Sequence, residues 1–129
     1  MDNSGLEKLI LVDPREKWPN NISLKSSSNS KKIILNTQIY KSLSKALEPF
    51  NFVVATSNRK RFLQKPFYNN FKNLYEEFPL TNKIAIIFGP ENSGLSNEDL
   101  LLADIIFNIN TSKSNTSLNL SHAVLLMSF

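Results

Sequence analysis

The 129-residue sequence has no cysteine, one histidine, one tryptophan and three glycines. Without cysteine there can be no disulfide, no thiolate nucleophile and no thiolate-held metal. A single histidine, His122, cannot build the usual histidine-rich metal centre, and a serine–histidine triad would rest on it alone. Apolar runs such as Ile84 to Phe88 and Leu100 to Ala103 are short, and none approaches the roughly 20 residues of a bilayer span. No basic stretch followed by an apolar core opens the chain. A soluble, cytoplasmic protein without bound metal is therefore expected.

What is present points elsewhere. Hydrophobic residues make up 41% of the chain, enough for one core, so a single domain over residues 1–129 is expected. Fifteen Lys and Arg against 11 Asp and Glu give a net charge of +4, which suits a polyanionic partner without naming one. Arg59, Lys60 and Arg61 follow an apolar run directly, where a loop would offer them to phosphate or simply leave them solvated.

Strand-like and helix-like segments alternate. Leu9 to Val12 reads as a buried strand closed by Asp13 and Pro14, and residues 14–32 as a long surface connection with at most a helical turn. The low-complexity patch from Ser26 to Ser30 is expected to be loop. Ser42 to Leu47 reads as a serine-capped helix ended by Pro49, and Phe52 to Ala55 as a strand. A helix is expected over Tyr68 to Phe78, and a central parallel strand over Ile84 to Phe88. A short helix over Asn97 to Ala103, capped by Ser96, and a strand over Ile105 to Ile109 follow. The segment from Ser117 to Phe129 carries apolar rows on two sides and reads as a helix buried on more than one face, in which His122 is expected to be a packing or hydrogen-bonded residue rather than a catalytic base. This order describes an α/β domain with a mainly parallel sheet, whose ligand belongs beyond the strand C-termini.

Two loops carry the candidate chemistry. Residues 89–98 read Gly-Pro-Glu-Asn-Ser-Gly-Leu-Ser-Asn-Glu and hold two of the three glycines, which permit close backbone approach by a ligand. A phosphate-cradling P-loop is excluded because no Gly-Lys-Ser/Thr follows, and the dinucleotide fingerprint lacks its third glycine. Glu91 is either a ligand-orienting group or a solvated carboxylate. Residues 112–120 are polar until Thr116, so Ser117 and Asn119 stand at a helix start, as caps or as pocket groups.

In order, these pieces resemble the SpoU (TrmH) group of SPOUT methyltransferases, more narrowly its TrmJ-like branch. The resemblance rests on Gly5-Leu6 through Val12-Asp13-Pro14-Arg15 with Trp18-Pro19-Asn20, and on Val54-Ala55-Thr56-Ser57 with Arg59. It continues through Ile87-Phe88-Gly89-Pro90-Glu91 to Glu98 and ends on Ser117-Leu118-Asn119-Leu120-Ser121 with Ala123-Val124. It implies a Rossmann-like, mainly parallel sheet with a C-terminal trefoil knot, something periodicity could not reveal because knots are so rare. It also implies S-adenosyl-L-methionine held by Thr56, Ser57, Asn58, Gly89, Ile109, Thr116, Ser117 and Leu118. Glu91, Ser117 and Asn119 match family positions in the catalytic pocket, and Arg15, Arg59, Lys60 and Arg61 are the candidate RNA contacts. The implied reaction is methylation of a ribose 2'-hydroxyl in RNA, above all tRNA, by a protein that is a homodimer when complete. By the same resemblance an arginine of the family's first motif falls immediately upstream of Met1, and the last helix of family members continues past Phe129. The chain is thus expected to hold the family domain without the start of that motif or the end of that helix. The alternative on this ground is a catalytically inactive cofactor- or RNA-binding member.

Overall fold

The computed structural model describes residues 8–26, 31–59, 63–80, 83–111 and 118–128. Two compact units divide the chain: Met1–Glu48 with Leu125–Phe129, and Pro49–Val124.

In the first unit, β1 (Ile10–Val12) and β2 (Gln38–Tyr40) form a parallel pair with Ile10 opposite Gln38 and Val12 opposite Tyr40. β1 is half-buried rather than fully buried, and β2 has no counterpart in the sequence reading. Between them the expected long connection instead contains two helices, α1 (Asn21–Ser26) and α2 (Lys31–Leu35). Hydrophobic periodicity does not make α1; a local polar clasp does. The Asn20 side chain accepts from Ser23 N at 2.8 Å, the Ser23 hydroxyl accepts from Asn20 N at 3.2 Å, and Leu24 N closes the first turn on Asn20 O. This is reciprocal capping of helix-end donors. Asp13 turns the chain after β1 at φ 46, a left-handed conformation that aspartate tolerates better than most residues. α3 (Leu43–Leu47) begins where Ser42 Oγ accepts from Lys45 N, as expected, and buries Ala46.

The second unit holds a four-stranded, wholly parallel sheet in the order β4-β6-β3-β5: β3 (Phe52–Thr56), β4 (Phe67–Tyr68), β5 (Ile84–Ile87) and β6 (Ile105–Phe107). Val54, Ala55 and Phe107 are wholly excluded from solvent, so β3 and β6 form the core. β5, expected to be central, stands at the end of this order. The helix expected from Tyr68 is α4 (Phe71–Glu76): Phe67 and Tyr68 join β6 as a strand, and Asn70 caps the helix by accepting from Lys72 N at 2.8 Å. α5 (Asn97–Leu101) has the expected Ser96 cap, completed as a capping box by Asp99. It ends two residues short of the expected Ala103, because Leu102 N and Ala103 N close tighter turns on Asp99 O and Leu100 O, and Asp104 N is taken by Val53 O at 2.9 Å. β6 likewise ends at Phe107 rather than Ile109, where β3 leaves the ladder and Ser57 N takes the Phe107 carbonyl at 3.0 Å.

α6 (Leu120–Ser128) replaces the expected helix from Ser117 to Phe129. Burial on more than one face does not hold: of its residues only Ala123 is buried, while Leu120, Leu125 and Leu126 are 37%, 51% and 44% exposed. His122 is exposed too, not packed. The apolar rows lie along the helix, yet in this chain little covers them. Among the described residues no helix is long and apolar enough to cross a membrane.

Candidate functional site

Because β3, β5 and β6 are parallel, their C-terminal ends share one edge of the sheet, and the three following loops meet there. Side chain and backbone lace these ends together. Thr56 Oγ1 donates to Ile87 O at 2.9 Å, tying the end of β3 to that of β5, and the Ser57 N–H to Phe107 bond ties β3 to β6. Over this edge opens a pocket of about 510 Å³, within the roughly 300–1,000 Å³ usual for small-molecule sites.

Residues 88–95 form one wall, and their sequence explains its shape. A methyl group at Gly89 would fall 2.3 Å from Gly94 C and Leu95 N, so this loop crosses itself backbone to backbone at a point only glycine can occupy. Gly94 turns the chain at φ +68, and its N–H closes on Pro90 O at 2.7 Å. Leu95 is 5% exposed and anchors the return of the loop in the core, directly ahead of the Ser96–Asp99 capping box. The loop is therefore held from both ends, with its peptide groups bordering the pocket.

The opposite walls come from Thr56, Ser57, Asn58 and Arg59 after β3, Ile109 and Thr111 after β6, and Leu118, Leu120 and Ala123 leading into α6. Glu91 joins the two sides, because its Oε1 accepts from Leu120 N at 3.1 Å at the first turn of α6. An acidic group at that position also meets the positive end of the helix. Asn119 is the helix cap: its carbonyl accepts from Ala123 N, and its Oδ1 accepts from Ser121 N at 2.9 Å and Ser121 Oγ at 2.7 Å. Among the described residues no three His, Cys, Asp or Glu side chains gather as a metal site would require. Two displaced proton affinities lie away from the pocket. Hydrogen bonding to Glu48 raises Lys45, and hydrogen bonding to Glu77 raises Tyr68.

Of the residues singled out in the sequence, Thr56, Ser57, Asn58, Arg59, Gly89, Glu91, Ile109 and Leu118 all line this one pocket. Asn119 adjoins it as the α6 cap without lining it. Arg15 is exposed and belongs to the first unit. Thr116, Ser117, Lys60 and Arg61 lie outside the described residues. Missed in the sequence were Phe88, Thr111, Leu120 and Ala123, which also line the pocket. Phe88 was legible as the residue between strand and glycine; Thr111 carried no signal beyond its place two residues after Ile109.

The profile of the SpoU rRNA Methylase family matches residues 1–129. An uncharacterized tRNA/rRNA methyltransferase of Haemophilus influenzae is 33% identical over the whole chain, which spans 53% of that protein. The tRNA (cytidine-2'-O-)-methyltransferase TrmJ of Methanocaldococcus jannaschii is 32% identical over 96% of the chain and 55% of its own length. The crystal structure of TrmJ from Z. mobilis ZM4 superposes with a TM-score of 0.84 and 31% identity over 98% of the chain and 56% of its own. The chain thus spans about half the length of the curated relatives it matches.

Proposed function

Since the chain belongs to the SpoU rRNA methylase family, we propose that it is the methyl-transferring domain of an S-adenosylmethionine-dependent RNA ribose 2'-O-methyltransferase, with tRNA as substrate. The observation that carries this reading is the self-crossing loop at Gly89 on the shared edge of three parallel strands. It presents main-chain groups to a pocket whose other walls mix Thr56, Ser57 and Asn58 with Ile109 and Leu118. Such a lining fits the cofactor: hydroxyl, amide and peptide groups for its polar ends, and aliphatic side chains for its flat base.

In this reading Thr56, Ser57, Asn58, Gly89, Ile109 and Leu118, with Thr116 and Ser117, hold the cofactor. Bound S-adenosylmethionine supplies an electrophilic methyl group on a sulfonium. The chain's own task is to bring the ribose oxygen into line with that methyl carbon, about 3–3.5 Å away, and to exclude water. Glu91 and Asn119 serve as positioning residues, because both fasten the start of α6 beside the pocket. The hydroxyl loses its proton as the new bond forms, so an acceptor must stand within hydrogen-bond reach. Ser117 belongs to that part of the pocket by resemblance. Arg59 lines the pocket and is assigned to the substrate phosphates, and Lys60, Arg61 and Arg15 are further RNA contacts in the same reading. The knot, the cytoplasmic setting and the homodimer belong to the same reading, and the exposed Leu125 and Leu126 of α6 support the last.

Calorimetry with S-adenosylhomocysteine, ATP and NAD tests the cofactor. Binding of S-adenosylhomocysteine alone is expected, and binding of ATP or NAD in its stead would refute the reading. Transfer of labelled methyl from S-adenosylmethionine to a tRNA transcript, lost when the target ribose is a 2'-deoxyribose, tests the reaction.

A further inference from the structure

The charge of this chain is segregated. From Lys17 to Leu47 there are six lysines, Lys17, Lys25, Lys31, Lys32, Lys41 and Lys45, and no Asp or Glu. The other nine Lys and Arg are outnumbered by all 11 acidic residues, so the positive excess resides in this one segment. It forms α1, α2, β2 and α3 of the first unit, and all six lysines are exposed. Among the described residues only Lys45 has a carboxylate partner, Glu48 at 2.8 Å.

Folding concentrates these charges further. α1 and α2 lie against each other, and Lys25 from one and Lys31 from the other line a single open depression of about 340 Å³ with Asn21 and Leu24. Two like charges borne on the lining of one depression favour an anion between them. Lysine meets phosphate as a compact point charge, and Asn21 adds a neutral amide beside the pair. The two lysines are compact charges that meet phosphate rather than base edges, so contacts here would position a nucleic acid without selecting its sequence.

We propose that the Lys17–Leu47 segment is a further RNA contact, a sequence-independent phosphate-binding surface centred on Lys25 and Lys31. Its polyanion is identified as RNA by the methyltransferase reading, on which this inference rests. An anionic membrane fits less well. The apolar side chains that protrude here, Ile22 and Leu35, stand one on each short helix, not along the continuous apolar face by which an interfacial helix enters lipid.

The test is fluorescence anisotropy of a labelled tRNA transcript titrated with the full chain at several KCl concentrations, for wild type, K25Q/K31Q, K25R/K31R and, as a control on the second unit, K72Q/K83Q. Each lysine–phosphate contact contributes about one unit to the slope of log affinity against log salt. K25Q/K31Q should therefore lower the slope by about 2, while K25R/K31R and K72Q/K83Q leave it near the wild-type value. Poly-U should show the same loss as tRNA. Binding of S-adenosylhomocysteine, measured in parallel, should be unchanged in all variants. Wild type that binds S-adenosylhomocysteine and RNA, with an unaltered slope in K25Q/K31Q, overturns this inference alone. Wild type that binds RNA with the expected loss but no S-adenosylhomocysteine overturns the methyltransferase reading and leaves the phosphate surface standing. Segment-dependent binding to phosphatidylserine vesicles without binding to RNA overturns the choice of RNA.

Discussion

Replacing Gly89 by alanine tests whether the crossing of the 88–95 loop shapes the pocket. The added carbon would stand 2.3 Å from Gly94 C and Leu95 N and 2.8 Å from Gly94 Cα. Carbon atoms in contact rest about 3.5–4.0 Å apart, so the two passes of the loop must separate by roughly 1.2 Å. All three neighbours are backbone atoms, and no side chain can swing aside to absorb the change. Overpacking costs about 1–3 kcal/mol, and a collision of this kind belongs at the upper end. In a chain of this size that corresponds to a fall in Tm of roughly 10 °C. Because the displaced peptides border the pocket, affinity for S-adenosylhomocysteine should fall at least tenfold as well. Gly94→Ala is the matched comparison: an added carbon there meets no atom within 4 Å, but φ is +68, a left-handed strain of about 1–2 kcal/mol. Thermal unfolding by circular dichroism and calorimetry on both variants separate crowding from strain. If Gly89→Ala melts and binds as wild type does, or if Gly94→Ala is the more damaging, the crossing does not shape the site.

Three further outcomes follow from single contacts. Thr56→Val removes the hydroxyl bonded to Ile87 O and should cost about 1 kcal/mol with several-fold weaker cofactor binding, whereas Thr56→Ser retains both; equal damage from Ser and Val would exclude the hydroxyl as the cause. Glu91→Ala should speed hydrogen exchange at the Leu120 amide, which loses its acceptor, and Glu91→Gln should do so less; unchanged exchange in both would remove Glu91 from the anchoring of α6. The Tyr68 phenol, whose O–H donates to Glu77 Oε1 at 2.8 Å, is held above its ordinary value. A raised acid means that the contact contributes fully below pH about 10 and is lost as pH rises through the folded value. Ultraviolet titration, with Tyr68→Phe subtracted to isolate this tyrosine, should show earlier ionisation in Glu77→Ala, and no change would refute the contact.

The elements legible in the sequence carry their cause locally. Ser42 and Ser96 announce α3 and α5 because a capping hydroxyl acts within three residues. β3 and β6 announce themselves through apolar runs, buried at the three central residues of β3 and throughout β6. The elements missed owe their existence to distant partners. Gln38–Tyr40 has one aliphatic residue and becomes a strand only because β1 lies beside it. Phe67 and Tyr68 look like the start of the following helix until β6 claims their backbone. β5 shows a different blindness: an apolar run reports what covers the two faces of a strand, while its rank within a sheet depends on backbone hydrogen bonds to its neighbours, about which side chains are silent.

The same distinction governs the site. Glycine at 89 can be read as a loop residue from the sequence, but the reason for it, a second pass of backbone 2.3 Å from where a side chain would begin, exists only once the loop has folded. Glu91 was open between ligand group and solvated carboxylate, and its hydrogen bond to Leu120 N, 29 residues onward, supplies a third role that no local pattern encodes. For α6, the rows of leucine state what could be buried, whereas exposure of Leu125 and Leu126 states what this chain by itself leaves uncovered. A helix free of charged residues and half open to solvent is the surface a second copy would most readily cover, since burying apolar area is the main drive for such association. Light scattering before and after Leu125→Lys measures that directly: loss of a wild-type dimer supports assembly through α6, and a dimer that survives the new charge places the interface elsewhere.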